Sequence, residues 1–319
     1  MVTVKRGRPR AIRKAAVKGG HLKYVGLSPA TLTRYRKCIL MLYLYLDVCM
    51  LELPGSMQLL DFYLSEFINQ LWLEGEPHGY AGATIAAVAR FIPRSRFHVS
   101  ISRQYVKNWE RTLTRQRALP LSKKIVIGMA GAAYAYKLDD VACLLLVGFV
   151  GLLRTMEFLT LKVGDIMFLG KDEKAFLMLS STKGTTRTGQ AEQVMIHDPV
   201  VTRALRLAVK NKQVDELVYS GGQVGFKRNL VWLAGLFGVT HSNLTPYSLR
   251  RGGATWHFLR YGNLDATTVL GRWAQSRTAR IYIHGAAADL AGWKLSSAQH
   301  LLLSKAQGIV FKRLDLESA

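Results

Sequence analysis

Acidic residues are scarce in this 319-residue chain, with 21 Asp and Glu against 44 Lys and Arg and a formal net charge of +23 at pH 7. The first carboxylate along the chain is Asp47. Such an imbalance excludes an acidic or neutral surface and projects a positive potential that draws a polyanion, nucleic acid before an anionic membrane. Cysteine is also sparse. Cys38, Cys49 and Cys143 lie far apart with no CxxC pair, which excludes a disulfide framework and fits a reducing compartment. Long apolar runs are missing too. The longest, Val141 to Leu153, lies between Asp140 and Arg154 and is too short to cross a bilayer, so it reads as a buried core helix. No apolar signal core follows the basic N-terminus, and the expectation is a protein neither secreted nor bound to membrane. The eight histidines and three cysteines have no zinc spacing, and Asp165, Asp172 and Asp198 fall on separate turns, so no metal is expected. GTTRTGQ has P-loop glycine spacing without the Lys-Ser/Thr ending, so no nucleotide or other cofactor is expected either.

About half of the residues, 49%, are hydrophobic, enough for one large domain or two medium ones, whereas a merely basic protein is usually shorter and less apolar. Residues 1–27 contain KRGRPRAIRKAAVKGGHLK, which can bury nothing and reads as a flexible arm. Its KRGRPR core, with Arg6, Arg8 and Arg10, resembles an AT-hook that lies in the narrow minor groove of A·T-rich DNA. A solvated basic tail or a nuclear-import signal fits it equally.

Residues 28–117 read as a helical domain. Ser28 and Pro29 form an N-cap signal before Leu32, Tyr35, Ile39, Leu42 and Leu46 at helical spacing, and three further amphipathic patterns follow. The last gathers Arg103, Lys107, Arg111 and Arg115, with Arg94, Arg96 and Arg117 nearby, into a cationic face suited to phosphates; a solvated helix face is the alternative. The proline-containing RALPLSKK marks a boundary, and residues 118–313 read as a second domain with a short tail at 314–319. In it a helix from Lys123 to Lys137 and the apolar helix precede VGDIMFLGKDEKAFLMLSSTKGTTRTGQAEQVMIHD, which alternates as a two- or three-stranded sheet turning at KGTTRTG. From Pro199 the pattern is helical again, so the fold class is mainly α with a small antiparallel sheet (α+β).

Several positions in the second domain are costly for structure alone. Arg154 ends the apolar helix, where its guanidinium needs an anion or the nearby Glu157. Arg250 and Arg251 are adjacent like charges that a phosphate would relieve, and Gly252 and Gly253 leave room for a backbone or a ligand. Trp273 and Tyr282 sit in GRWAQSRTARIYIHG, and Lys183 opens the hairpin turn; core packing and a solvated lysine are their plain readings.

In this order Arg154, Lys183, Tyr247-x-x-Arg250, Trp273 and Tyr282 resemble the tyrosine recombinase, or phage-integrase-like, family over about Ser28 to Arg313. GLLRTMEFLTLKVGDI looks like its first arginine box, SSTKG its hairpin lysine, YSLRRGGAT its second arginine box and GRWAQSRTARIYIH its nucleophile segment. The GRW and SLRRGGAT wording looks most like recombinases of eukaryotic mobile elements and protist genomes. The resemblance implies a helical core-binding domain and a catalytic domain forming a C-shaped clamp on specific duplex DNA sites. It implies cleavage and rejoining through a 3′-phosphotyrosyl intermediate without metal or ATP. Tyr282 would be the nucleophile, Arg154 and Arg250 the grip on the scissile phosphate, Lys183 the acid for the leaving 5′-oxygen, and Trp273 a phosphate hydrogen-bond donor. Glu157 and Asp165 match acidic positions that orient Arg154 and fix its backbone. Arg251 would touch a neighbouring phosphate or reinforce the field. Tyr247 departs from the usual His; a phenol can donate to phosphate but, with a pKa of about 10, is a poor base.

The resemblance further implies a monomer in solution and a homo-tetramer on DNA, joined by a C-terminal helix that in this chain can equally pack on its own domain. Location follows the DNA: nuclear in a eukaryotic host, otherwise cytoplasmic. The competing readings are a weak or inactive DNA-binding descendant, a type IB topoisomerase-like or telomere-resolving enzyme and, more distantly, a metal-dependent transposase.

Overall fold

The computed structural model describes residues 26–113, 118–170, 174–179, 191–240, 243–280, 282–283 and 295–315. The chain divides into two compact units, Met1–Arg115 and Gln116–Ala319. The basic arm, Arg115, Asp172, the KGTTRTG turn and Lys183 lie outside the described residues.

Among the described residues, the first unit has four α-helices, α1 (Pro29–Val48), α2 (Met57–Leu73), α3 (Gly79–Phe91) and α4 (Ser100–Thr112), with a 3₁₀ turn at Pro93–Phe97. Ser28 caps α1 by accepting from the Thr31 N–H at 3.1 Å, and Pro29 supplies a first residue that needs no backbone donor. Ser56 caps α2 in the same way through Leu59, at 3.1 Å. Leu42, Leu64, Phe67, Ile68, Ile85, Val88 and Trp109 form the core between them. One carboxylate is buried in it: Asp61 of α2 accepts from the Ile101 and Ser102 N–H groups, both at 2.9 Å, and so caps α4 from a neighbouring helix. With Ser102 and Trp109 inward, α4 turns Arg103, Lys107 and Arg111 to solvent, as the cationic pattern predicts.

The second unit begins with α5 (Lys123–Ala135) and α6 (Asp139–Val150). Every residue of α6 from Val141 to Phe149 is buried, as befits a helix apolar on all sides. Arg154 was expected at the end of this helix. Instead Gly151 ends α6, Leu152 turns back with φ +46°, and Arg154 precedes the short α7 (Thr155–Leu159).

A 3₁₀ turn at Val163–Asp165 leads into an antiparallel sheet of β1 (Ile166–Leu169), β2 (Lys174–Leu179) and β3 (Glu192–Ile196), in that order, with Ile166 opposite Leu177 and Leu177 opposite Val194. Alternate residues Ala175, Leu177 and Leu179 face the core, the two-residue period that makes the segment readable as strand. Then follow α8 (Pro199–Val209), α9 (Gly222–Leu236), α10 (Tyr247–Tyr261), α11 (Leu264–Leu270) and α12 (Ser297–Arg313). In this structure α12 packs on α5 of its own unit. Leu303 and the Ala306 backbone fit against Gly128 and Gly131, where a Cβ would collide, and Gln307 donates to the Lys124 carbonyl at 2.8 Å. No helix among the described residues is long and apolar enough to cross a membrane.

Candidate active site

Four separate stretches of the second unit bring their polar side chains to one place: the α6–α7 turn, the start of β3, α10 and the segment after α11. α10 sits deep because Gly252 and Gly253 press against the Leu121 and Phe149 carbonyl oxygens, so the space expected behind the two arginines admits backbone, not a ligand. On α10, Arg250 is 1% exposed. Its Nη2 donates to the Gly271 carbonyl at 2.6 Å, its Nη1 to the carbonyl of left-handed Leu152, and its Cζ lies 4.7 Å from the Trp273 ring centre. Arg251 is buried as well and donates to the Ala118 carbonyl at 2.5 Å. Through that bond Arg251 braces the segment leading into α5, and its charge still acts on Tyr247.

Arg154 is the more open guanidinium, with its side chain 32% exposed. Glu157 accepts from the Arg154 backbone N–H at 2.7 Å and from its Nη1 at 2.5 Å, fixing both backbone and side chain. Asp165 accepts from the Lys162 N–H at 3.0 Å, so it holds the 3₁₀ turn. Two further residues complete the cluster. Arg272 donates to Glu157, and its Nε donates to Glu192 at 3.2 Å; Glu192 also accepts from Arg154 Nη1 at 3.1 Å.

Among the described residues, Arg154 and Arg272 thus share two carboxylates while Arg250 is held by carbonyls alone, leaving one positive charge in excess. Burial first, then Arg154 and Arg272, bring the Arg250 pKa down to about 10, still protonated at neutral pH and short of an anion. Arg272 is lowered by burial too, against the pull of Glu157. Burial also opposes charge on Arg154, but hydrogen bonding and charge from Glu157, then Glu192, leave its pKa raised.

Tyr282 lies beside this cluster, on a segment anchored by buried Ala279 and Ile283 and by the Thr255 hydroxyl, which donates to the Tyr282 carbonyl at 3.2 Å. Its ring centre is 4.8 Å from that of Trp273, and its hydroxyl hydrogen-bonds the Tyr247 hydroxyl. Tyr247 is 36% exposed; partial burial raises its pKa against the opposing pull of Arg250, Arg154 and Arg251.

No protein-family model and no curated protein matches the chain. Solved structures do. XerH site-specific recombinase, in a post-cleavage complex with palindromic difH substrate, is similar at TM-score 0.56 and 14% identity over 81% of this chain and 77% of that one. Tn1549 transposon integrase with circular intermediate DNA matches at TM-score 0.57 and 13% identity, over 88% and 96%. Lambda integrase bound to DNA matches at TM-score 0.53 and 13% identity, over 89% and 98%. The chain has the tyrosine recombinase fold.

Within this tyrosine recombinase fold the site joins Arg154, Glu157, Tyr247, Arg250, Trp273 and Tyr282, all read from the sequence. Sequence reasoning missed Arg272 and Glu192. Arg272 lies inside the quoted GRW motif, and Glu192 is one of few carboxylates in a basic chain, opening an alternating strand. Those two signals could have found them.

Proposed function

We propose that this chain is a site-specific DNA recombinase or integrase that cleaves and rejoins duplex DNA through Tyr282. The observation that carries the reading is the gathering of Arg154, Arg250, Trp273 and Tyr282 around one point, with Tyr247 hydrogen-bonded to Tyr282. A phosphodiester is shielded by its own negative charge, so attack without a metal needs fixed cations at the non-bridging oxygens. A cluster with one positive charge in excess provides them. DNA-bound recombinases and integrases among similar structures support duplex DNA as partner.

In the proposed reaction Arg154, the exposed arginine, meets the phosphate first, and Arg250 engages once the cover of Trp273 and Tyr282 shifts. Two of the five guanidinium donors of Arg250 are held by carbonyls, and the others remain to stabilise the pentacoordinate transition state. The Tyr282 oxygen bonds to phosphorus as the bond to the 5′-oxygen breaks. Its proton passes to the Tyr247 hydroxyl, which releases its own to solvent, while Lys183 gives a proton to the departing 5′-oxygen. A 5′-hydroxyl then reverses the step on a new strand. Synapsis joins four protomers on two duplexes, in a mobile element's recombination.

Tyr247 favours a second reading, a DNA-binding descendant with slow chemistry, because a phenol is a poor proton acceptor. Metal-free incubation with suicide duplexes carrying candidate sites tests the proposal. A DNA adduct that survives denaturation supports the enzyme; efficient site binding without any adduct supports the descendant.

A further inference from the structure

The two carboxylates at the site are held differently. Glu157 is locked, its side chain 2% exposed and accepting from the Arg154 backbone, the Arg154 guanidinium and Arg272. Glu192 lies at the open side, its side chain 23% exposed. A single oxygen, Oε2, spans Arg154 Nη1 at 3.1 Å and Arg272 Nε at 3.2 Å. One anionic oxygen shared by two guanidinium groups is the arrangement a non-bridging phosphate oxygen takes up.

We propose that Glu192 is a displaceable stand-in for the substrate phosphate, neutralising Arg154 and Arg272 in the free protein and yielding to the incoming phosphodiester. The inference rests on reading the site as a phosphodiester centre. Without Glu192, Arg154 and Arg272 would share the single carboxylate of Glu157 beside the buried charge of Arg250, and the mutual repulsion would loosen Arg154. With a phosphate and Glu192 both present, two anions would crowd the same pair of donors, so one must leave. Glu192 is the one that can, because it is partly solvated and starts its strand, whereas Glu157 is enclosed. The competition weakens binding of a lone phosphate and favours a phosphodiester held in place by many other contacts along a duplex.

The test is inorganic phosphate binding to the full chain, measured as the rise in melting temperature with phosphate at constant ionic strength. It compares wild type, Glu192→Gln, Arg154→Ala and the double variant. Glu192→Gln is expected to bind phosphate about five- to tenfold more tightly, and the gain to vanish in the Arg154→Ala background. Should Glu192→Gln fail to fold, Glu192→Asp, which shortens the reach and keeps the charge, is expected to give a smaller gain in the same direction. Unchanged or weaker binding, or a gain that survives loss of Arg154, overturns the proposal. A phosphate gain in a protein that forms no tyrosyl adduct upholds the stand-in and sinks the recombinase reading; an adduct without the gain does the reverse.

Discussion

Tyr247 touches the candidate nucleophile and two of its properties decide how the proton leaves. Its hydroxyl bonds to that of Tyr282, and its raised pKa keeps it neutral through the physiological range. A neutral phenol relays a proton without a titration of its own, so the wild-type cleavage rate should be flat with respect to this residue between pH 5.5 and 8. Tyr247→His should raise cleavage on the order of tenfold at pH 8 and introduce a titration at or below about pH 6.5, the rate climbing as the imidazole loses its proton. Adduct formation followed against pH checks this; an unchanged rate and profile would show that no acceptor works at that position. The arginines and aromatics of the site were legible because each is an expensive residue in a short motif. Arg272 and Glu192 were not, because their importance lies in a charge balance that exists only once α7, β3 and the segment after α11 meet.

Among the elements, α4 shows how a cationic surface depends on a buried group. Asp61 holds the α4 N-terminus through two backbone N–H groups and the Ser102 hydroxyl. Burial alone would raise its pKa; the Ser102 and Ile101 hydrogen bonds outweigh this and lower it from the usual 3.8. The carboxylate's contribution is therefore fully present above that value and is lost as pH falls through the lower folded value. Asp61→Asn should cost about 2 kcal/mol in urea unfolding at pH 7, and the difference from wild type should shrink towards pH 3. An equal difference at both pH values would contradict the assignment. The first helix start was legible in Ser28, and strands in their alternation. The bend after α6 was not, because Leu152 at φ +46° is a conformation that leucine rarely adopts and tertiary contacts must impose.

For the whole molecule, charge is the property that reaches furthest. The +23 balance predicts DNA binding that weakens steeply with salt, and the cations from Lys5 to Lys23 should take part in it. Deleting residues 1–23 should weaken duplex binding and reduce the slope of log K against log salt by about 3–5, if that many phosphates lose a partner. An unchanged slope would mean the arm does not touch DNA. The mainly helical fold with a small sheet was legible because caps and periodicity agree along most of the chain. The identity of the bond-making residue decides the central claim, and it can be read directly. An adduct formed on a suicide duplex without metal is digested with protease and nuclease, and the modified peptide is located by mass spectrometry. The account predicts a phosphotyrosyl bond at Tyr282, to the 3′ end of the cut strand, and no adduct from Tyr282→Phe; an adduct on another residue, or one that persists in that variant, would contradict it.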